Sequence, residues 1–464
     1  MEQEKRVHFI GIGGYGMSAI AKILLEMGYI VTGSDLNKSK IVESLMEKGV
    51  KIYIGHHKDY LGDAQVVVYS TAIPEDNPEL VESRKRGLKV YHRSEMLALI
   101  LNKGYGIAIA GAHGKTTTTS MTAFILEQGG KDPTALIGGE LSNFEGNARL
   151  GSSNIVVAEA CESDHSFLRY KPNIALITNI EADHLEHYEG SFAKLLDTFY
   201  QFLQNLKEDG CAVVYYDDPN VREIIQRGFD KKLITYGLSQ TNDYYPQNIQ
   251  LKERGSRFEL YHKGRNLGTI ELSVPGEHNI LNSLGATIIG LLQGVEFEDI
   301  KKALKEFRGA KRRFQIIYDG KILVVDDYAH HPTEIKATLK AAAKAGYKRV
   351  IGVFQPQRYT RTHFLMEEFA QSFNFADKVI IGDIYSAGEK PIEGVSAEKL
   401  VEKIKENGHK DVMYIPSIEE IYQYLKGEAR EGDLVLTMGA GDIFKVSYSL
   451  ADFLNNDGEE KELK

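Results

Sequence analysis

The segment Ile107–Thr119, IAIAGAHGKTTTT, constrains this chain more than any other. An apolar, strand-like run enters it, glycines mark a turn, and a helix-like run leaves it. In a loop of this kind backbone N–H groups and a helix N-terminus cradle phosphates. A lysine reaches the outer phosphates, and a Ser or Thr hydroxyl meets Mg²⁺. Gly111, Gly114, Lys115 and Thr116 stand where that chemistry needs them. Only Ala112 and His113 separate the two glycines, whereas the common loop has four residues there.

The same strand–turn–helix order recurs along the chain, so the expected fold is α/β with parallel sheets covered by helices. Its 464 residues allow about three domains at roughly 150 residues each. The first, 1–104, reads as a Rossmann-like unit opening with VHFIGIGGYG. The second, 105–310, reads as a P-loop ATPase-like parallel sheet with hairpins added over about 240–272. The third, 311–464, reads as another Rossmann-like unit, with strands at KILVVDD, RVIGVFQP, KVIIGDI, DVMYI and DLVLTMG. In such sheets ligands bind at the carboxyl ends of the strands.

The first unit carries its own nucleotide signal. Gly11, Gly13 and Gly16 form G-x-G-x-x-G directly after a strand, and Asp35 follows the next one. Such glycines let a pyrophosphate approach a helix N-terminus, and the acid can meet a ribose hydroxyl. NAD is the obvious ligand. A different diphosphate nucleotide suits the chain better, because a dehydrogenase has no use for a triphosphate loop.

Composition excludes other classes. Acidic residues outnumber basic ones 65 to 56, a net charge of -9, which argues against a nucleic-acid partner. No apolar run approaches the roughly 18 residues that a membrane helix needs, and MEQEKR leads straight into a strand rather than into a signal peptide. Two cysteines, Cys161 and Cys211, offer no disulfide framework and fit a reducing cytoplasm. Cys161 reads as a packed thiol.

Several other residues stand at expected strand ends. Glu159, in IVVAEACESD, is suited to holding Mg²⁺ beside the phosphate loop, with Glu162 and Asp164 as weaker candidates. LITNIEADHLEHY places Asn179, Asp183 and His184 after a buried strand, and His184 is a candidate ligand of a second ion. Asn279 and Asn282 share one helical face, where amides can meet a purine edge or merely cap the helix. Arg312 and Arg313 are either a solvated pair or hinge arginines for a transferring phosphoryl group. Asp327, Tyr328, His330 and His331 crowd one strand end in the third unit. Arg358 and Arg361, spaced to grip a carboxylate, stand at what reads as the neighbouring one. Gly439–Ile443 reads as an architectural turn.

Together the segments GIGGYGMSAIA, GAHGKTTTT, VAEACESD, TNIEADHLEHYEG, PGEHNILN, GAKRRF, DDYAHHPTE, FQPQRYTRT and GAGDI, in that order and across nearly the whole chain, closely resemble the Mur ligases. These are the ATP-dependent enzymes that build the peptide of bacterial cell-wall precursors, and the likeness is to their alanine-adding branch. The short glycine spacing of the phosphate loop matches that family too. The resemblance implies joining of L-alanine to the lactyl carboxylate of UDP-N-acetylmuramate through an acyl phosphate. Attachment of a whole peptide to the same nucleotide sugar is the alternative. It implies ATP with Mg²⁺ or Mn²⁺, small-molecule substrates, no membrane insertion, and a monomer or homodimer. It also implies roles. Lys115, His184 and Arg313 would be catalytic. Gly111, Ala112, His113, Gly114, Lys115, Thr116, Thr117, Asn179, His278, Asn279 and Asn282 would bind ATP. Gly11, Gly13, Gly14, Gly16, Asp35 and Ser70 would bind the UDP substrate. Tyr328, His330, Arg358 and Arg361 would shape the amino-acid site, and Thr116, Glu159 and His184 would hold metal. Two residues depart from the family: Ala112 stands where Thr is common, and Gln357 where many members have His. Phe199 falls where several relatives carry a carbamoylated Lys.

Overall fold

Three sheets, each fed by strands that end in turns, make up the computed structural model, which describes residues 6–462 apart from 142, 145, 164 and 253. Asp164 thus lies outside the described residues. The first sheet holds β1 (Arg6–Ile10), β2 (Ile30–Asp35), β3 (Lys51–Ile54), β4 (Val66–Tyr69) and β5 (Lys89–His92), in the order β3-β2-β1-β4-β5. All its pairings are parallel. The order reverses between β1 and β4, which opens a crevice over their carboxyl ends. The turn after β1 delivers the helix Tyr15–Glu26 into that crevice.

The second sheet comprises β6 (Tyr105–Ala110), β7 (Thr134–Leu141), β8 (Gly146–Arg149), β9 (Ile155–Glu159), β10 (Ile174–Ile177), β11 (Cys211–Tyr215), β12 (Lys232–Tyr236), β13 (Tyr244–Lys252), β14 (Gly255–His262) and β15 (Arg265–Leu272). Its order is β15-β14-β13-β12-β11-β10-β6-β9-β7-β8. The strand feeding the phosphate loop, β6, is therefore central, with β9 and β10 parallel on either side. Fully apolar strands such as ALI in β10 and IVVA in β9 are buried on both faces, as a helix-covered parallel sheet requires. The expected hairpins are present at one edge. Lys263 and Gly264, both at positive φ (47° and 82°), form the two-residue turn between β14 and β15, a geometry that matches strand twist.

The third sheet comprises β16 (Gln315–Asp319), β17 (Leu323–Asp327), β18 (Arg349–Phe354), β19 (Lys378–Ile381), β20 (Val412–Tyr414) and β21 (Asp433–Met438). Their order is β16-β17-β21-β18-β19-β20, with β16 the antiparallel edge. This corrects one expectation. The strands ending at Asp327 and Phe354 follow each other in sequence, but β21 pairs with both and separates them. Chain order does not reveal which strand closes the middle of a doubly wound sheet.

Contacts group the chain into two compact units. One contains Met1–Gln247, Glu259–Ile270 and Leu281–Arg308; the other contains Asn248–Phe258, Glu271–Ile280 and Gly309–Lys464. The first unit has a continuous core from Phe9, Ile20 and Leu24 to Phe167, Phe199 and Phe202. Lys22 Nζ donates to the Ala148 carbonyl at 2.6 Å, and Asn147 Nδ2 to the Tyr15 carbonyl at 2.7 Å, so polar bonds also tie the first helix to β8. Among the described residues no helix is long and apolar enough to cross a membrane.

Phe199 is 1% exposed and meets Phe167 edge-on at 5.2 Å, on the apolar face of the helix Phe192–Gln204. Phe199→Ala is expected to cost about 3–5 kcal/mol through the cavity it leaves. A lower urea midpoint with native-like circular dichroism before the transition is the measurement.

Candidate active site

The phosphate loop is held open by its neighbours rather than by itself. The Asn179 side chain, just past β10, accepts from the His113 N–H at 2.8 Å and donates to the His113 carbonyl at 3.0 Å. Thr178 Oγ1 donates to the same carbonyl at 2.6 Å. β10 ends at Ile177, and the next two side chains are committed to the loop. Gly111 admits no side chain: a Cβ there would lie 2.0 Å from Thr178 Oγ1. Gly114, at φ 81°, starts the helix Lys115–Gln128 with no side-chain cap, leaving its first N–H groups to face a ligand.

Lys115 Nζ donates to Glu162 Oε1 at 2.9 Å, to the Ala112 carbonyl at 3.0 Å and to the Gly111 carbonyl. Burial works against its charge, but the negative charges of Glu162 and Glu159 outweigh it, and the ammonium is held above its ordinary range. Glu162 is itself 2% exposed, and its Oε2 has no hydrogen-bond partner among the described residues. Burial pushes the neighbouring Cys161 thiol up, consistent with a packed thiol. On the other side of the loop, Thr116 Oγ1 donates to Glu159 Oε2 at 3.0 Å, and the same oxygen accepts the Gly138 N–H at 3.0 Å. A hydroxyl and a carboxylate converging beside a phosphate cradle are hard oxygen donors suited to Mg²⁺. Thr117, next on the helix, is buried.

His184 has a positive φ of 57°. Its ring nitrogens lie 3.6 Å from Asp183 and 3.7 Å from Glu186. The nearby His184 imidazole is the main reason Glu186 is drawn down to about 2, burial opposing it. The helix Glu277–Leu292 carries His278, Asn279 and Asn282. Asn282 Oδ1 accepts from Thr118 Oγ1 at 3.2 Å and would lie 2.4 Å from a Cβ at Gly114, so this helix abuts the phosphate loop there. Asn279 Nδ2 donates to the Pro275 carbonyl at 2.6 Å, which caps the turn before the helix.

In the first sheet the glycine cradle is already partly bonded. The Gly11 and Ile12 N–H groups donate to the Ser34 carbonyl at 2.8 and 3.0 Å. Asp35 Oδ2 accepts the Gly13 N–H at 2.8 Å, so this acid braces the turn. Gly14 caps the helix through its backbone alone. Ser70 follows β4 and begins the loop whose Ile73 rests on Gly11. A Cβ at Gly16 would lie 3.0 Å from Arg93 Nη1, which places a guanidinium beside the cradle. Nothing in the sequence pattern had singled out Arg93.

In the second unit Arg312 and Arg313 separate in role. Arg312 Nε bonds Asp326 at 2.9 Å, and its other nitrogens reach the carbonyls of Gly439 and Gly441 at 2.7 and 3.2 Å. It staples the strand ends to the Gly439–Gly441 turn. Arg313 is less engaged: it lies 3.8 Å from Glu334 and 5.3 Å from the Tyr328 ring. Tyr328 and His330 meet edge-on at 5.4 Å, and His330 Nδ1 is 3.0 Å from the Tyr328 carbonyl. His331 caps the helix Pro332–Ala343. Arg361 is 9% exposed and donates to Gln357 Oε1 at 3.0 Å. Arg358 has a positive φ of 65°, and its N–H is held by the Tyr385 carbonyl at 2.9 Å. With β21 between β17 and β18, the Tyr328/His330 and Arg358/Arg361 sets stand two strand spacings apart, roughly 10 Å.

Three family models account for most of the chain: "Mur ligase family, catalytic domain" over 6–105, "Mur ligase middle domain" over 109–290 and "Mur ligase, glutamate ligase domain" over 312–441. The chain belongs to the Mur ligase family. A UDP-N-acetylmuramate–L-alanine ligase of Pelotomaculum thermopropionicum is 53% identical, covering 97% of this chain and 98% of its own. The ligase of the same name from Symbiobacterium thermophilum is 49% identical over 98% and 96%. The solved UDP-N-acetylmuramate–alanine ligase of Thermotoga maritima superposes with a TM-score of 0.83 at 28% identity, covering 97% of this chain and 99% of its own. A murein peptide ligase from Psychrobacter arcticus gives 0.72 at 26% identity, covering 97% and 98%. As a Mur ligase the chain is an enzyme with the expected three-sheet α/β fold.

Two expectations follow for this Mur ligase. Gly114→Ala would strain a positive φ and drive a methyl into Asn282. ATP binding measured by calorimetry should fall at least tenfold while the fold persists. His278 is pushed down to about 4, chiefly by burial and further by Arg313, with Glu334 and Glu277 opposing. Below pH 6.5 the unfolded chain takes up this proton and the folded one does not, so stability falls as pH drops from 6.5 towards 4, by on the order of 3 kcal/mol from this residue. His278→Gln should flatten that part of the stability–pH curve in chemical denaturation.

Proposed function

We propose that this chain joins L-alanine to the lactyl carboxylate of UDP-N-acetylmuramate, consuming ATP and releasing ADP and phosphate, as a step in cell-wall precursor synthesis. What carries the reading is a triphosphate loop with an engaged lysine and a separate glycine cradle on its own sheet, in a chain that matches alanine-adding relatives end to end.

In this reading the segments 1–104, 105–310 and 311–464 divide the work. The cradle of Gly11, Gly13, Gly14 and Gly16, with Asp35 and Ser70, holds the UDP substrate. The loop from Gly111 to Thr117, with Asn179, binds the phosphates of ATP, and His278, Asn279 and Asn282 face its adenine. Tyr328, His330, Arg358 and Arg361 shape the site of the amino acid. Thr116 and Glu159 would hold Mg²⁺ or Mn²⁺ and His184 a second ion, and bound metal supplies charge neutralisation for the phosphates.

A carboxylate resists an amine because oxide is a poor leaving group. Transfer of the γ-phosphoryl group to a carboxylate oxygen, with ADP leaving, makes an acyl phosphate. The alanine amine attacks its carbonyl carbon and loses a proton, and phosphate departs with one of the original carboxylate oxygens. The chain's own contribution is position and charge: Lys115 leaves Glu162 for a phosphate oxygen, and Arg313 stabilises the transferring group. The enzyme works in this reading on small soluble substrates in the cytoplasm.

Lys115→Ala should abolish ADP release with all three substrates present, measured in a coupled assay. With ¹⁸O in the sugar's carboxylate, the label should appear in inorganic phosphate. Phosphate without label would overturn the acyl-phosphate route. Turnover with a tripeptide and none with L-alanine would assign the chain to peptide attachment instead.

A further inference from the structure

Glu79 and His8 are both 0% exposed, deep in the first sheet, and no role above uses them. His8 lies in β1 between Val7 and Phe9, where an apolar residue would be ordinary. A buried carboxylate is tolerated only when its oxygens are fully hydrogen-bonded. Glu79 meets that condition with three partners. His8 Nε2 lies 2.7 Å from Oε2, Ser34 Oγ donates to the same oxygen at 2.9 Å, and His56 Nδ1 lies 2.9 Å from Oε1. His8 Nδ1 is also 2.8 Å from Thr32 Oγ1, so its ring is fixed at both nitrogens. Burial raises the Glu79 pKa, but His8, His56 and Ser34 together draw it below the usual range.

These partners come from separate parts of the sheet. His8 belongs to β1, Ser34 to the end of β2, and His56 follows β3. Glu79 itself opens the helix Pro78–Lys85, whose Glu79 and Leu80 N–H groups are capped by Asn77 Oδ1 at 2.9 and 3.2 Å. The same Ser34 offers its carbonyl to Gly11 and Ile12, and the next residue, Asp35, holds Gly13. The loop before Asn77 carries Ile73, whose Cδ1 would touch a Cβ on Gly11 at 3.0 Å. One carboxylate therefore sets both walls of the crevice: the glycine turn on one side and the loop 70–77 on the other.

We propose that Glu79, with His8 and His56, is a positioning centre for the nucleoside-diphosphate arm of the nucleotide-sugar substrate. It touches no phosphate. It fixes the spacing of the cradle that does, so its loss weakens the nucleotide sugar selectively. The inference rests on reading the N-terminal glycine turn as the nucleotide-sugar site.

The test uses full-length protein with Glu79→Ala, Glu79→Gln and His56→Gln substitutions, well below each melting temperature. Calorimetry with UDP-N-acetylmuramate and a non-hydrolysable ATP analogue is paired with KM for each substrate. Glu79→Ala should raise Kd and KM for the nucleotide sugar at least tenfold and leave KM for ATP and L-alanine within twofold. Glu79→Gln, which keeps an acceptor for Ser34, should recover part of the loss. Equal Kd in the Glu79→Ala variant and wild type, or an equal rise in KM for ATP, overturns the proposal. Should Glu79→Ala fail to fold, His56→Gln at the rim carries the test: a loss of about threefold for the nucleotide sugar alone supports it, and unchanged affinity overturns it. Wild-type protein that binds no UDP-N-acetylmuramate would strike the reading of the cradle itself; normal wild-type binding with unaffected variants strikes only this inference.

Discussion

The clamp between the end of β10 and the phosphate loop is the interaction on which the active site depends. A loop with two residues between its glycines has too little chain to satisfy its own backbone. Asn179 and Thr178 supply the missing partners, accepting from and donating to His113. That fixes the direction of the helix Lys115–Gln128 and places Thr116 against Glu159 on the opposite neighbour, β9. The arrangement exists because β6 lies between β10 and β9, so side chains from two strand ends close on one loop. Each contact is ordinary in strength, but a buried loop carbonyl left without a donor costs more than any one of them gains.

The loop lysine illustrates the same accounting. Without phosphates, an ammonium among buried groups needs a counter-charge, and Glu162 with two loop carbonyls supplies it. The glycine turn of the first sheet is likewise braced from outside, through Ser34 and Asp35.

Much of this was legible in the residues. Glycine turns between apolar and helical runs marked both cradles, and the acids and amides at strand ends fell beside them, as Glu159 and Asn179 show. The spacing of Arg312 and Arg313 did not reveal that one is a structural staple on Asp326 while the other is less engaged, because that difference depends on where the Gly439–Gly441 turn comes to rest. Nor could the order of strands show that β21 parts the tyrosine–histidine set from the arginine pair. A polar residue inside the apolar strand VHFI was a visible signal for His8, but its partners Thr32 and Glu79 stand 24 and 71 residues away in the chain.

By itself the sequence determined the α/β class and the glycine turns that follow its strands, since strand and helix periodicity and glycine placement are local properties. The tertiary structure alone decided which strand ends became neighbours, which arginine was bound and which remained less engaged, and how one buried carboxylate came to join three strands. Those outcomes depend on parallel pairing between segments far apart in the chain, where burial and unpaired hydrogen bonds, not local pattern, select the arrangement.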